Sequence, residues 1–146
     1  MKLLFIGDVV GNPGRRGLAE TMPRLKERYE PDLIVVNGEN SAGGMGITEK
    51  TAKDIFETGA DVITLGNHTY RHRDAYEYLD RAKRVIRPAN YRRSNPGTGV
   101  CRFEKAGVRI AVINLSGTVG LTAARSPFDE IDLILADIEG ETDVRI

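Results

Sequence analysis

Three short apolar runs each end in glycine, followed or preceded by a residue that can turn the chain or bind a cation. Leu3-Leu4-Phe5-Ile6 stops at Gly7-Asp8, Leu33-Ile34-Val35-Val36 at Asn37-Gly38-Glu39-Asn40, and Val62-Ile63-Thr64-Leu65 at Gly66-Asn67-His68. An unbroken apolar run bounded by turn residues reads as a strand buried on both faces, because a strand with one wet face would alternate. Helical patterns separate the runs. Leu18, Met22, Leu25 and Tyr29 recur at helical spacing, with Pro23 expected to kink or restart that helix. Thr48 reads as an N-cap, Ile47 and Ala52 as a hydrophobic staple, Ile55 and Phe56 as the continuing apolar side, and Gly59 as the stop. Strand and helix alternating in this way predict a parallel sheet covered by helices, an α/β fold.

Beyond a helix around Asp74 to Arg81 the pattern changes. Val85-Ile86 is short and runs into Arg87-Pro88, which takes the chain out of the sheet. Val100 to Phe103 and Val108 to Ile113 flank Ala106-Gly107 and predict an antiparallel hairpin. Ser126-Pro127 starts a helix, Ile131, Ile134, Leu135 and Ile138 trace its apolar stripe, and Gly140 ends it. Asp143 to Ile146 reads as a strand just begun. The expected architecture is therefore parallel βαβ units followed by a β-hairpin and a helix. It forms a single domain over residues 1–146, expected to be incomplete at its C-terminus.

Composition narrows the partners. Lys+Arg and Asp+Glu are equal at 21 each, so the net charge offers no reason to expect duplex nucleic acid or an anionic membrane. Cys101 is the only cysteine, which rules out an internal disulfide and points to a reducing, cytoplasmic compartment. It lies in an apparent strand with no nearby His and reads as structural. The N-terminal apolar run is too short for a signal peptide or a membrane span.

In open α/β sheets, ligands bind beyond the carboxyl ends of the strands. A parallel arrangement brings Asp8, Glu39, Asn40, Asn67 and His68 to one rim. Two carboxylates, two amides and an imidazole there suit a cation site. Taken singly, each has a structural reading: Asp8 as a helix cap, Asn37 and Asn67 as turn residues, His68 as a satisfied loop histidine. Their coincidence at successive strand ends favours function. His72 reads as solvated surface among arginines. Gly7, Gly11 and Gly14 do not match the G-x-G-x-x-G spacing, and no P-loop motif occurs. Gly43-Gly44-Met45-Gly46 reads either as a mobile rim loop or as the turn before the second helix.

Several segments resemble one bacterial branch of the calcineurin-like metallophosphoesterases, the 2′,3′-cyclic-nucleotide 2′-phosphodiesterases. They are Met1 to Asn12, Val35 to Asn40, Gly66-Asn67-His68-Thr69, Arg87-Pro88-Ala89-Asn90, Val112 to Leu115 and Ser126-Pro127-Phe128. The Gly38-Glu39-Asn40 segment marks the branch, whereas Gly66-Asn67-His68 is shared across the superfamily. The resemblance implies the N-terminal part of a metallophosphoesterase-type layered fold and hydrolysis of cyclic nucleotides or related small phosphodiesters by a metal-bridging hydroxide. It further implies two metal ions, iron or manganese. Asp8 would bind the first metal, Glu39 bridge both, Asn40 support the first and Asn67 bind the second. His68 would be the proton donor to the leaving oxygen, which suits an imidazole near neutral pH. The chain departs from the family pattern at Tyr70-Arg71, Thr118 and Gly120, which bears on substrate preference. Three further family histidines would lie beyond residue 146, and the only histidines present are His68 and His72. The competing reading is a non-catalytic relative that binds a metal or nucleotide. The oligomeric state stays open.

Overall fold

The computed structural model describes residues 1–121 and 124–146. Strands β1 (Leu3–Ile6), β2 (Leu33–Asn37), β3 (Val62–Thr64) and β4 (Val85–Ile86) alternate with helices α1 (Gly11–Tyr29), α2 (Glu49–Glu57) and α3 (Ala75–Arg81). The four strands pair in parallel, in chain order. A second sheet is built from the hairpin β5 (Val100–Lys105) and β6 (Val108–Ile113), with β7 (Val144–Arg145) parallel to β6. Helix α4 (Pro127–Asp137) connects β6 to β7. The architecture is the mixed α/β arrangement that the alternating runs predict.

The apolar runs are unbroken because the first sheet is covered on both sides. Ile34, Val36, Ile63, Leu65 and Val85 pack with Leu18, Met22, Ile55 and Leu79 of the helices. Leu33, Val35, Val62 and Ile86 point the other way, onto Cys101, Ile110 and Val112 of the second sheet. Period-two geometry sends successive residues of each strand into different cores. Burial pushes the Cys101 thiol up, away from the reactive thiolate, in keeping with a structural residue.

β1 corrects the expectation of burial on both faces. It is an edge strand whose Leu4 and Ile6 pack against the helical core, whereas Leu3 and Phe5 are exposed. An apolar run cannot report its place in the strand order, and among the described residues the second sheet packs on β2, β3 and β4 rather than on β1.

Pro23 corrects another expectation, since α1 runs through it as one helix. Proline removes the hydrogen bond to the carbonyl four residues back. Here that residue, Ala19, faces solvent, where water can satisfy the orphan oxygen. Thr48 does cap α2, through a reciprocal box with Thr51, and Ile47 and Ala52 are fully buried beside it. Ala106 and Gly107 both take positive φ, as a two-residue hairpin turn requires. The stripe on α4 is shallower than its pattern suggests: Ile131 and Ile134 are half-buried and Leu135 is exposed. Among the described residues no helix is long and apolar enough to cross a membrane.

One side chain ties the two sheets together at the carboxyl ends. The Asn114 amide, just past β6, donates to the carbonyls of Leu65 (2.7 Å) and Ile86 (3.0 Å). Its own backbone carbonyl accepts from Ala89 N–H at 2.7 Å. Asn114→Ala is expected to cost about 1–3 kcal/mol, the usual penalty for stranding buried polar groups. An unchanged urea midpoint would show that these bonds contribute nothing net.

Candidate functional site

The parallel register puts the ends of β1, β2 and β3 side by side, and backbone bonds fix the loops that leave them. Val9 N–H donates to Asn37 O (3.0 Å) and Gly11 N–H to Asn40 O (2.9 Å), joining the first loop to the second. Gly38 N–H donates to Thr64 O at 3.0 Å, joining the second to the third. Gly38 lies so close to α2 and β3 that a Cβ would sit 2.9 Å from both Ile55 and Ile63 side chains. Asp8 takes a left-handed φ of 45°, uncommon for a residue with a side chain and most often tolerated by Asn and Asp.

Four of the five sequence-predicted residues form one network. Asn40 Nδ2 donates to Asp8 Oδ1 at 2.7 Å, and Asn40 Oδ1 lies 2.7 Å from His68 Nδ1. Glu39 Oε1 accepts from the His68 backbone N–H at 2.9 Å and lies 3.3 Å from Nδ1. These bonds settle the imidazole tautomer by elimination. An ionised carboxylate can only accept, so the amide nitrogen of Asn40 must face Asp8 and its carbonyl must face His68. Nδ1 therefore carries a hydrogen, which leaves Nε2 as the nitrogen free to exchange a proton. Asn67, the fifth residue, is exposed at the same rim; its loop is closed by Thr69, whose N–H and Oγ1 both donate to Gly66 O.

The Glu39 carboxylate rests in a space that exists only because residue 66 is glycine. A Cβ there would lie 2.0 Å from Oε2. Near the Glu39 carboxylate lies Tyr91, a buried residue that the sequence alone does not single out. Burial raises its phenol pKa and the nearby Glu39 charge raises it further, while a hydrogen bond with Ser116 acts in the opposite direction. Asn90, next to it, is fully buried: it donates to Ser116 O (2.8 Å) and Arg125 O (2.7 Å) and accepts from Ser116 N–H (2.9 Å). The available signal was the Arg87-Pro88-Ala89-Asn90 segment, which carries a family resemblance but no role legible from its residue types.

His72 is a further correction. It is half-buried and its Nε2 lies 2.9 Å from Met45 O and 3.4 Å from Ala42 O. It thereby fastens the Gly43-Gly44-Met45-Gly46 loop to the His68 loop, since Arg71 N–H donates to His68 O at 3.0 Å. A charged neighbourhood in sequence gave no warning that the ring folds inward.

The donor chemistry is oxygen-rich, two carboxylates and two side-chain amides, which fits hard or borderline cations. The donor number is short of two complete coordination spheres. Among the described residues no group of three or more His, Cys, Asp or Glu side chains could hold a metal by itself.

Gly66→Ala is expected to push the Glu39 carboxylate off the His68 N–H and to destabilise the chain by about 1–3 kcal/mol, as overpacking does. The His68 amide proton resonance reports the first effect directly. If it stays where it is, the close approach is not what holds Glu39.

The fold has counterparts among known proteins. The chain is 41% identical over 142 residues to the 2′,3′-cyclic-nucleotide 2′-phosphodiesterase of Bacillus subtilis, covering 97% of this chain and 54% of that protein. A crystal structure of a hypothetical protein from Thermus thermophilus superposes with a TM-score of 0.89 at 34% identity, covering 99% of this chain and 56% of that one. A novel phosphatase from Mycoplasma pneumoniae gives a TM-score of 0.89 at 31% identity, covering 100% and 53% respectively. The chain thus spans about half the length of the relatives it matches. With its residues 4–146 matching throughout, the chain belongs to the YmdB-like protein family.

Proposed function

We propose that this chain carries the first half of the active site of a metal-dependent phosphodiesterase acting on cyclic nucleotides or similar small phosphodiesters. The observation that supports it most is the Asp8–Asn40–His68 chain of hydrogen bonds with Glu39 closing it from the side. The name of the Bacillus relative supports the substrate class.

In this reading Asp8, Glu39, Asn40 and Asn67 would hold two cations, iron or manganese, with Glu39 shared between them and Asn40 in a supporting role. When bound, such ions supply positive charge at the phosphoryl oxygens and a nucleophile at neutral pH. The protein's own part is positioning and proton transfer. Asn40 holds Nδ1 of His68, so Nε2 presents its proton to the departing oxygen. Glu39 anchors the His68 backbone, so the ring and the carboxylate move as one unit. A second reading, a relative that binds a metal or nucleotide without turnover, needs only the rim donors Asp8, Glu39, Asn40 and Asn67 and no proton donor.

The two readings part on turnover. In a chain extended to the length of its relatives, hydrolysis of 2′,3′-cyclic AMP and of a bis-aryl phosphate with added manganese is expected under the first. Metal binding with no hydrolysis supports the second. Where turnover is found, His68→Ala is expected to slow the cyclic nucleotide by about 10²–10⁴-fold, the usual range for a lost general acid. The aryl ester, whose leaving group needs little protonation, should lose less. Equal losses would make His68 a substrate-orienting residue.

Glu39→Gln is expected to halve or abolish metal loading, since a neutral amide cannot hold two cations as a carboxylate does. Metal analysis on the purified variant checks this. Unchanged stoichiometry would remove Glu39 from the bridging role.

A further inference from the structure

A cavity of about 710 Å³ opens between α4 and the connection from β4 to β5, and none of its lining residues belongs to the strand-end rim. Its volume falls within the range of small-molecule sites, about 300–1,000 Å³. Lys83, Arg87, Arg93 and Arg102 contribute cations to its wall; Val100 and Leu133 contribute apolar surface.

Arg87 is the unusual member. It is 5% exposed, yet its one side-chain hydrogen bond runs from Nη1 to the Pro88 carbonyl at 2.8 Å. Its Nε is buried with no partner, and among the described residues no carboxylate pairs with it. Three other sheltered charges are matched by an ion pair: Arg15 with Asp54, Asp61 with Lys105, and Glu130 with Arg125. A guanidinium is always charged and has five donors in a planar fork, so burying it unpaired is costly. The two acids on the cavity wall do not relieve it. Glu130 is taken by Arg125, and Asp137 by Arg102. Lys83 and Arg93 are exposed on the same wall and make no ion pair among the described residues. The cavity therefore keeps an unneutralised positive charge beside an apolar wall.

We propose that this cavity binds a phosphate monoester of mononucleotide size, its phosphate on Arg87, Lys83 and Arg93 and its body against Val100 and Leu133. With Nη1 bonded to the Pro88 carbonyl and Nε buried, Nη2 is the Arg87 donor left for a ligand, and together with two further cations it matches a dianion with three acceptor oxygens better than a single carboxylate. The site is separate from the rim and does not depend on the rim's being catalytic.

The test is an NMR titration of the whole chain with adenosine 5′-monophosphate, inorganic phosphate and adenosine, in EDTA so that no cation draws phosphate to the rim. The nucleotide is expected to shift the amides of Gly97 to Arg102 and Leu133 to Asp137, with phosphate weaker and adenosine silent. Lys83→Ala with Arg93→Ala removes two exposed charges without touching the core. It should weaken binding by about tenfold or more, as the loss of charge-assisted contacts predicts. Arg87→Gln should abolish it, and the surface pair keeps the test valid if that variant does not fold. Equal binding of adenosine, shifts centred on Asp8, Glu39 and His68, or no saturation up to roughly 10 mM nucleotide would each overturn the proposal. So would indifference to the Lys83 and Arg93 changes.

Discussion

Asn40 stands between two neighbours with opposite needs, and its amide meets both only one way round. Asp8 can only accept, so it takes the amide nitrogen; His68 must then donate to the amide oxygen. Through this single side chain the end of β1 determines which nitrogen of an imidazole after β3 carries hydrogen. An aspartate at position 40 would set like charges face to face, and an alanine would leave the ring free to turn. The orientation of the ring is thus a property of three strand ends together.

That arrangement depends on spacing held by the layers beneath it. The first sheet is clamped between helices and a second sheet, so the ends of β2 and β3 have no freedom to splay. Asn114 adds a cross-sheet tie at the same end, and His72 fastens the glycine loop that borders the rim. Two local exceptions fall in the same place: Asp8 takes a left-handed backbone, and Glu39 leans over a residue with no side chain. Strained backbone at a functional rim persists only where the surrounding structure holds it.

Much of this was legible in the residues, and the exceptions have physical causes. β2 and β3 were readable because burial on both faces demands unbroken apolar runs. β1 has the same composition, but edge position depends on strand order, which composition does not encode. The unbroken course of α1 through Pro23 was not legible, because the cost of a proline depends on whether the orphaned carbonyl faces water. The five rim residues stood out by their positions after strands, and four of them share one hydrogen-bonded network. Tyr91, Asn90 and His72 did not, because their roles arise from contacts between loops far apart in sequence. The pairing of Glu39 with Gly66 was equally invisible, since a glycine after a strand has many explanations and only one of them involves residue 39.

The order of the first sheet has a consequence for how the chain is made. β1, β2, β3 and β4 lie side by side in the order in which they are synthesised, and each new strand pairs with the one before it. No strand has to wait for a distant partner, so the sheet can lengthen by one strand–helix unit at a time as the polypeptide leaves the ribosome. The loops bearing Asp8, Asn40 and His68 all precede residue 70, so they emerge before the hairpin that covers the sheet's other face. During that interval Leu33, Val35 and Val62 are uncovered, and the time to complete the hairpin sets how long the nascent chain must be shielded from aggregation.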